Sequence, residues 1–529
     1  MRLWTLLIFA AAAALALGLP SCGDTNPVAP TPTDTAATAR RVADSFYVPL
    51  PDRIPSRLAT NPGTPWGDYL GSGACKRCHV EEYEKWRQSF HSRTLYDAVE
   101  GTVFGDFSGD KVFEDPRFPF VVEPFKTVDP ATGKTRFFMK MWLHPKWPLD
   151  RNPDSYGAGD IPVVRDPVVQ EVIFAFGNRR HQPYVFQWEG GATEGRYYVA
   201  PVFWNDAEKE WRYDGFRPYV KSCASCHVTG IKWVERATDP RMHEIPMTVP
   251  TRYTPMPKEE GWADGSVGCE VCHGPGMNHV REVERMGVDR YRELLASGKK
   301  PPTIYDGKKG SLEHRARQCG QCHDFMTEST VTWVPGPFGF SRDPRYEPIQ
   351  PRGGQSQFYG DGSHKSPCSM VAVYSKSKMW QQRDMEIGCT ACHDAHGNED
   401  WADLTLSARD NSLCLSCHST QFPDEASTTR HSRHAAGSSG NRCIECHMPR
   451  HMIFTNGVEM MSDRIHSHVL SVPTGGATPE APPTSCNVCH RDRSEAWSKD
   501  LIDAWWREDR AGAKPGPPAP ETHDPPGGK

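Results

Sequence analysis

Cys389-Thr390-Ala391-Cys392-His393-Asp394-Ala395-His396 and, a short way on, Cys414-Leu415-Ser416-Cys417-His418 carry the reading of this chain. Each holds two thiols three residues apart with a histidine directly after the second. The same Cys-x-x-Cys-His pattern recurs at Cys75-Cys78-His79, Cys223-Cys226-His227, Cys269-Cys272-His273, Cys319-Cys322-His323, Cys443-Cys446-His447 and Cys486-Cys489-His490. Of the 18 cysteines, Cys22 and Cys368 alone stand outside these eight motifs.

Paired thiols at this spacing serve either zinc or haem attachment. The histidines decide between them: with 22 His in 529 residues, eight such coincidences have a chance probability on the order of 10⁻¹¹. Disulfides give no reason for the histidines. In c-type attachment two thiols add to the vinyl groups of one haem and the following His ligates the iron. The expected cofactor is therefore eight covalently bound haems c, with His79, His227, His273, His323, His393, His418, His447 and His490 as proximal ligands.

This also accounts for the composition. Only 37% of the residues are hydrophobic and mean hydropathy is -0.62, which leaves a chain of this length with a thin side-chain core. The 47 Pro and 45 Gly punctuate it too often for long regular elements. Apolar macrocycles supply the missing interior volume, and the expected fold is mainly α with much loop, organised by haem. Between the first and second motifs, runs such as Thr135-Arg136-Phe137-Phe138-Met139-Lys140-Met141-Trp142 and Arg196-Tyr197-Tyr198-Val199 predict a small β-rich insertion. The other seven motifs crowd into Cys223 to His490, where neighbouring macrocycles must meet and one continuous electron path results.

The remaining histidines exceed the eight sixth coordination positions. His91, His279, His396, His431, His434 and His468 lie near motifs and are the leading distal candidates. His396 is too close to His393 to reach the far side of the same haem, so it is expected to ligate the next one, and the same argument applies to His279 and His91. His181 and His364 are further candidates, and His144, His243, His314, His451 and His466 weaker ones. His523 sits in the tail. Met379 is a lesser alternative, being more readily a core residue. Irons with two His ligands hold low potentials and leave substrate no vacancy, which suits electron transfer.

Outside the motifs, Met1-Arg2 and the apolar run to Leu19 read as a secretory signal over residues 1–21, and no later segment has membrane-spanning length. Leu19-Pro20-Ser21-Cys22 resembles a lipoprotein cleavage box, with Cys22 as the lipidated residue. Residues 22–65, rich in Pro, Thr and Ala, read as a flexible linker. The first-haem region with its insertion spans 66–222, the seven-haem region 223–508, and a disordered tail 509–529. The formal charge is -5, and haem propionates make it more negative, which disfavours nucleic acid. Periplasmic or cell-surface placement follows, with redox proteins as partners and a lipid anchor as the membrane contact. Cys368 reads as an inert thiol.

The motif surroundings are more specific. Gly71-Ser72-Gly73-Ala74-Cys75 through His79, with Tyr83, Trp86, Ser89 and His91, resembles the opening of the cytochrome c-552/c-554-type multihaem family. So do Phe176-Gly177-Asn178 with Tyr184, Cys269 to Gly276 with His279, Ser377-Lys378-Met379, Cys389 to His396, Cys443 to Pro449, Ser467-His468, and Cys486 to Trp497. The resemblance covers roughly residues 67 to 506; the tetratricopeptide repeats of many relatives do not follow. It implies an octahaem cytochrome with stacked haem pairs that transfers electrons. Distant likeness to octahaem hydroxylamine, nitrite and tetrathionate oxidoreductases keeps an enzyme with one open haem as an alternative, although a Cys-x-x-Cys-Lys catalytic motif is absent. An extracellular haem filament is a further alternative.

Overall fold

A computed structural model describes residues 69–148, 162–233, 260–323, 359, 363, 370–398, 402–450, 466–473 and 482–512, apart from short gaps inside 162–233, 260–323 and 482–512. The signal, Cys22, the linker, Cys368, His243, His364, His451 and His523 lie outside the described residues. No helix among the described residues is long and apolar enough to cross a membrane.

The region between the first two motifs is more than a small insertion. Eight strands form one antiparallel sheet: β1 (Tyr96–Asp97), β2 (Phe120–Val128), β3 (Thr135–Leu143), β4 (Val168–Ala175), β5 (Gln182–Gln187), β6 (Tyr197–Asn205), β7 (Glu210–Tyr213) and β8 (Arg217–Pro218). The path runs β2-β3-β4-β5-β6-β7, with β1 added on β4 and β8 on β6. The chain is thus a mixture of helices and a substantial curled sheet, and "mainly α" describes the motif-bearing part alone. β-Branched and aromatic residues at alternating positions explain the strands.

β6 is buried along its whole length because both faces of the sheet are covered. On one face Phe107, Phe137, Tyr184, Tyr198, Trp204 and Trp211 pack into an aromatic core, in which Phe107 meets Phe137, Tyr184 and Trp211 edge-on with ring centres 5.2, 5.2 and 5.3 Å apart. On the other face Phe174, Phe176, Tyr197, Val199, Tyr219 and Trp262 pack against Cys223, Ala224 and Val228. A register shift between Val172 and Phe174 turns β4 so that these two residues serve opposite faces. The sheet is therefore a platform on which the second motif rests.

The remaining motifs lie on short helices. A third apolar cluster, Leu312, Ala316, Val371, Tyr374 and Trp380 with Met379, joins Cys319 to Cys389, so Met379 serves as packing. The helix Glu495–Gly512 follows the eighth motif and takes in the first four residues assigned to the tail.

Candidate metal centres

Each motif adopts one helical turn. The helices or 3₁₀ turns Ser72–Arg77, Ala224–His227, Cys269–His273, Leu312–His323, Cys389–Ala391, Ser412–His418, Cys443–His447 and Ser485–Cys489 carry them. Residues three and four apart share a helical face, so both thiols and the histidine converge. Backbone bonds from His79 to Cys75 (3.0 Å), His393 to Cys389 (3.0 Å) and His490 to Cys486 (2.8 Å) close the turn. Among the described residues fifteen motif cysteines are free.

Six motif histidines face a second histidine across a gap. Ring centres lie 6.5 Å apart for His79 and His279, 6.4 Å for His91 and His323, and 6.2 Å for His273 and His396. The separations are 6.2 Å for His393 and His468, 6.1 Å for His431 and His447, and 6.2 Å for His434 and His490. This is too wide for ring contact. Two metal–imidazole bonds of about 2 Å, plus about 1.1 Å from each nitrogen to its ring centre, give about 6.2 Å. The residues therefore fit an iron held between each pair.

Pairing differs from the sequence expectation in direction. His396 faces His273 of the third motif, not a motif further along, and His279 faces His79 of the first. His91 faces the fourth motif, because the helix Val80–Gln88 ends and the 3₁₀ turn His91–Arg93 follows.

Two motif histidines are arranged otherwise. His227 meets Phe176 edge-on at 4.9 Å. His181 lies close enough to help depress its basicity, yet its ring packs on Phe203 at 4.2 Å with Nε2 3.7 Å from Asp214. His418 is exposed, and among the described residues no histidine is placed opposite it. His144 is buried, with Nδ1 accepting from the Lys146 amide at 3.0 Å. His466 is engaged by Arg450 at 3.1 Å and by the Met448 carbonyl at 2.6 Å. His314 belongs to the helix Leu312–His323.

Orientation comes from backbone carbonyls. Nδ1 donates to Thr94 O from His227, to Ala402 O from His393 and to Ser471 O from His447, each at 2.9 Å, and to Ser432 O from His434 at 2.6 Å. A carbonyl only accepts, so Nδ1 carries the proton and Nε2 is left to ligate. Burial, reinforced by neighbouring histidines, pushes His91 down to about 4; burial likewise pushes His227 down to about 4. Burial and their facing partners also lower His279 and His396. Neutral imidazole is the form that binds metal.

Polar residues that the motifs did not signal hold the segments together. Glu270, 2% exposed, accepts from the amides of Leu70 (3.0 Å), Gly71 (2.7 Å) and Gly276 (2.7 Å), which ties the entry to the first motif to the third. Burial pushes its carboxyl up despite those bonds. Asp264 accepts from Ser72 N at 2.9 Å, and Ser72 Oγ from Cys269 N at 3.0 Å. Glu445 pairs with Arg450 at 2.7 Å beside the seventh motif.

Two family models and one relative agree with this chemistry. The model of the doubled CXXCH motif matches residues 383–422, and that of cytochrome c554 and c-prime matches residues 74–102. Cytochrome c-554 of Nitrosomonas europaea is 29% identical over 127 residues, which are 24% of this chain and 45% of that protein. The match thus spans less than half the length of that relative. The crystal structure of the outer cell wall cytochrome OcwA is similar with a TM-score of 0.46 at 18% identity, over 84% of this chain and 88% of that one.

Proposed function

The chain is a multihaem c-type cytochrome, and from that premise we propose that it is an exported octahaem electron relay between redox protein partners. Each bound haem supplies a one-electron iron couple. The protein's task is to fix those couples in a row and close them to other chemistry.

The observation that carries this reading is the set of six facing histidine pairs at 6.1–6.5 Å. In each pair the two imidazoles would hold the iron between them, which would keep small molecules off the metal and favour low potentials. The carbonyls on Nδ1 hold the rings against rotation and strengthen them as ligands. Rigid ligation also limits rearrangement when charge changes. The signal over 1–21, lipidation at Cys22 and the 22–65 linker support placement in the periplasm or at the cell surface, tethered by a lipid. An acidic surface suits protein partners over nucleic acid.

A second reading has one observation in its favour: His227 and His418 are not in such pairs among the described residues. One of them would then hold an open iron able to act on nitrite, hydroxylamine or tetrathionate.

Electron paramagnetic resonance of the oxidised protein separates the two. The relay gives low-spin signals unchanged by cyanide or nitrite, with no steady-state turnover of the three compounds. An exchangeable high-spin signal accompanied by turnover would replace the relay with the enzyme.

A further inference from the structure

Contacts between motifs define how the relay is connected. The first motif meets the third, where Ser72 Oγ accepts from Cys269 N at 3.0 Å and the turn Ser72–Arg77 packs on the helix Cys269–His273. The third meets the fourth through Gln318 Nε2, which donates to Cys272 O at 3.0 Å. The fourth meets the fifth, since Cys319 and Cys389 pack against one apolar cluster and Arg315 pairs with Glu386 at 2.8 Å.

Beyond the fifth the other motifs follow. The loop to the sixth folds back on both, with Thr405 N donating to Cys392 O at 2.8 Å and Leu413 N to Ser407 O at 2.9 Å. Asn411 Oδ1 accepts from Cys443 N at 2.8 Å, joining sixth to seventh, and Ser485 Oγ donates to Cys446 O at 2.8 Å, joining seventh to eighth.

The second motif joins elsewhere. Its helix Ala224–His227 packs against the helix Leu312–His323 of the fourth motif. Thr94, three residues beyond His91, binds the same site twice: its carbonyl accepts from His227 Nδ1 at 2.9 Å, and its hydroxyl bonds to His227 O at 3.0 Å and His91 O at 3.2 Å. The backbone that aims His91 at the fourth site thus also aims His227 at the second. On its other side the second motif is closed by the sheet.

We infer that the fourth site, held by His323 and His91, is a three-way junction: one arm runs through the third motif to the first, one through the fifth to the eighth, and the second motif alone forms the third arm. This rests on the relay reading and deepens it. The His91–His323 site thus touches all three arms, and the second site, off the route between the two long arms, exchanges electrons through it.

The fourth site is identifiable in a spectrum. Its imidazole planes cross at 72°, whereas those of His273–His396 and His431–His447 are inclined by 4° and 3°. Crossed planes leave two iron orbitals nearly degenerate and give a strongly anisotropic low-spin signal, whereas parallel planes give a rhombic one.

The test is a reductive titration of full-length His91→Met, followed by paramagnetic NMR of the haem methyl groups. A His/Met site has a raised potential, so this site takes the first electron, and the added negative charge lowers the midpoints of its direct neighbours. The expected result is three sites shifted beyond the rest, one of them assigned to the second motif. Two shifted sites, or a second motif that does not respond, overturns the junction. Should the variant fail to fold, the pairwise interactions read from the same titration of the unaltered protein give the same count. Loss of all bis-His low-spin signals in the unaltered protein would instead sink the relay reading itself.

Discussion

Replacing Glu270 by Ala tests whether a buried carboxylate fastens the first motif to the third. Glu270 accepts amide bonds from Leu70 at 3.0 Å and from Gly71 and Gly276 at 2.7 Å each. Gly71 and Gly276 are themselves buried, and Leu70 partly so. Truncation leaves these donors without an acceptor, at about 1–3 kcal/mol for each buried one. Removing the carboxylate also removes its own desolvation cost, which places the loss near the lower end, about 3–4 kcal/mol in all. Glu270→Gln keeps one acceptor oxygen for Leu70 and Gly276 and turns an amide group toward Gly71, so about 1–2 kcal/mol is lost. Because burial raises the carboxyl of Glu270 in the folded state, that state binds more protons than the unfolded chain above the ordinary Glu range. Its contribution therefore falls as pH rises from about 4.5 upward. Urea unfolding followed by far-ultraviolet circular dichroism, at pH 4 and pH 7, measures both effects. A Glu270→Ala protein within about 1 kcal/mol of the parent, or indistinguishable from Glu270→Gln, would refute the argument.

Three further outcomes follow from other sites. Asp424 caps the helix Glu425–Ser432, which carries His431, through a reciprocal box in which its carboxylate accepts from Ser427 N at 2.7 Å; Asp424→Ala should lower the urea midpoint in the same unfolding assay, with Asp424→Asn closer to the parent. A Cβ at Gly440 would overlap the His434 ring, so Gly440→Ala should displace that ligand and raise a high-spin signal at the eighth site, with the other signals unchanged. Burial holds Asp403 up to about 6; the folded state then binds the extra proton, so this group's contribution is lost as pH rises from about 4 through 6, and Asp403→Asn should flatten the stability profile across that window.

The attachment chemistry was legible because it is local: two thiols and a histidine within five residues meet on one helical turn whatever surrounds them. The strands were legible for the same reason, as alternation along β3 and β6, but the extent of the sheet was not. Its size depends on pairings such as β1 with β4, and on a second buried face that the second motif covers together with Leu95 and Trp262. The facing histidines were legible as candidates and not as pairs. His279 follows the third motif by six residues and faces the first, because buried Glu270 and Ser72 fasten the third motif to the first, a contact the Arg77–Glu284 pair also spans at 2.7 Å. Thr94 and Glu270 gave no signal, since their roles lie in backbone bonds to segments 133 and about 200 residues away. His466, a weaker ligand candidate by position, bonds to Arg450 and to the Met448 carbonyl through tertiary placement that spacing does not reveal.

Intact-mass spectrometry of the mature protein tests the central claim most directly. The account predicts a single species heavier than the polypeptide by eight haems, retained after denaturation because the bonds are covalent. A mass equal to the bare chain, or one carrying zinc that denaturation releases, would contradict it.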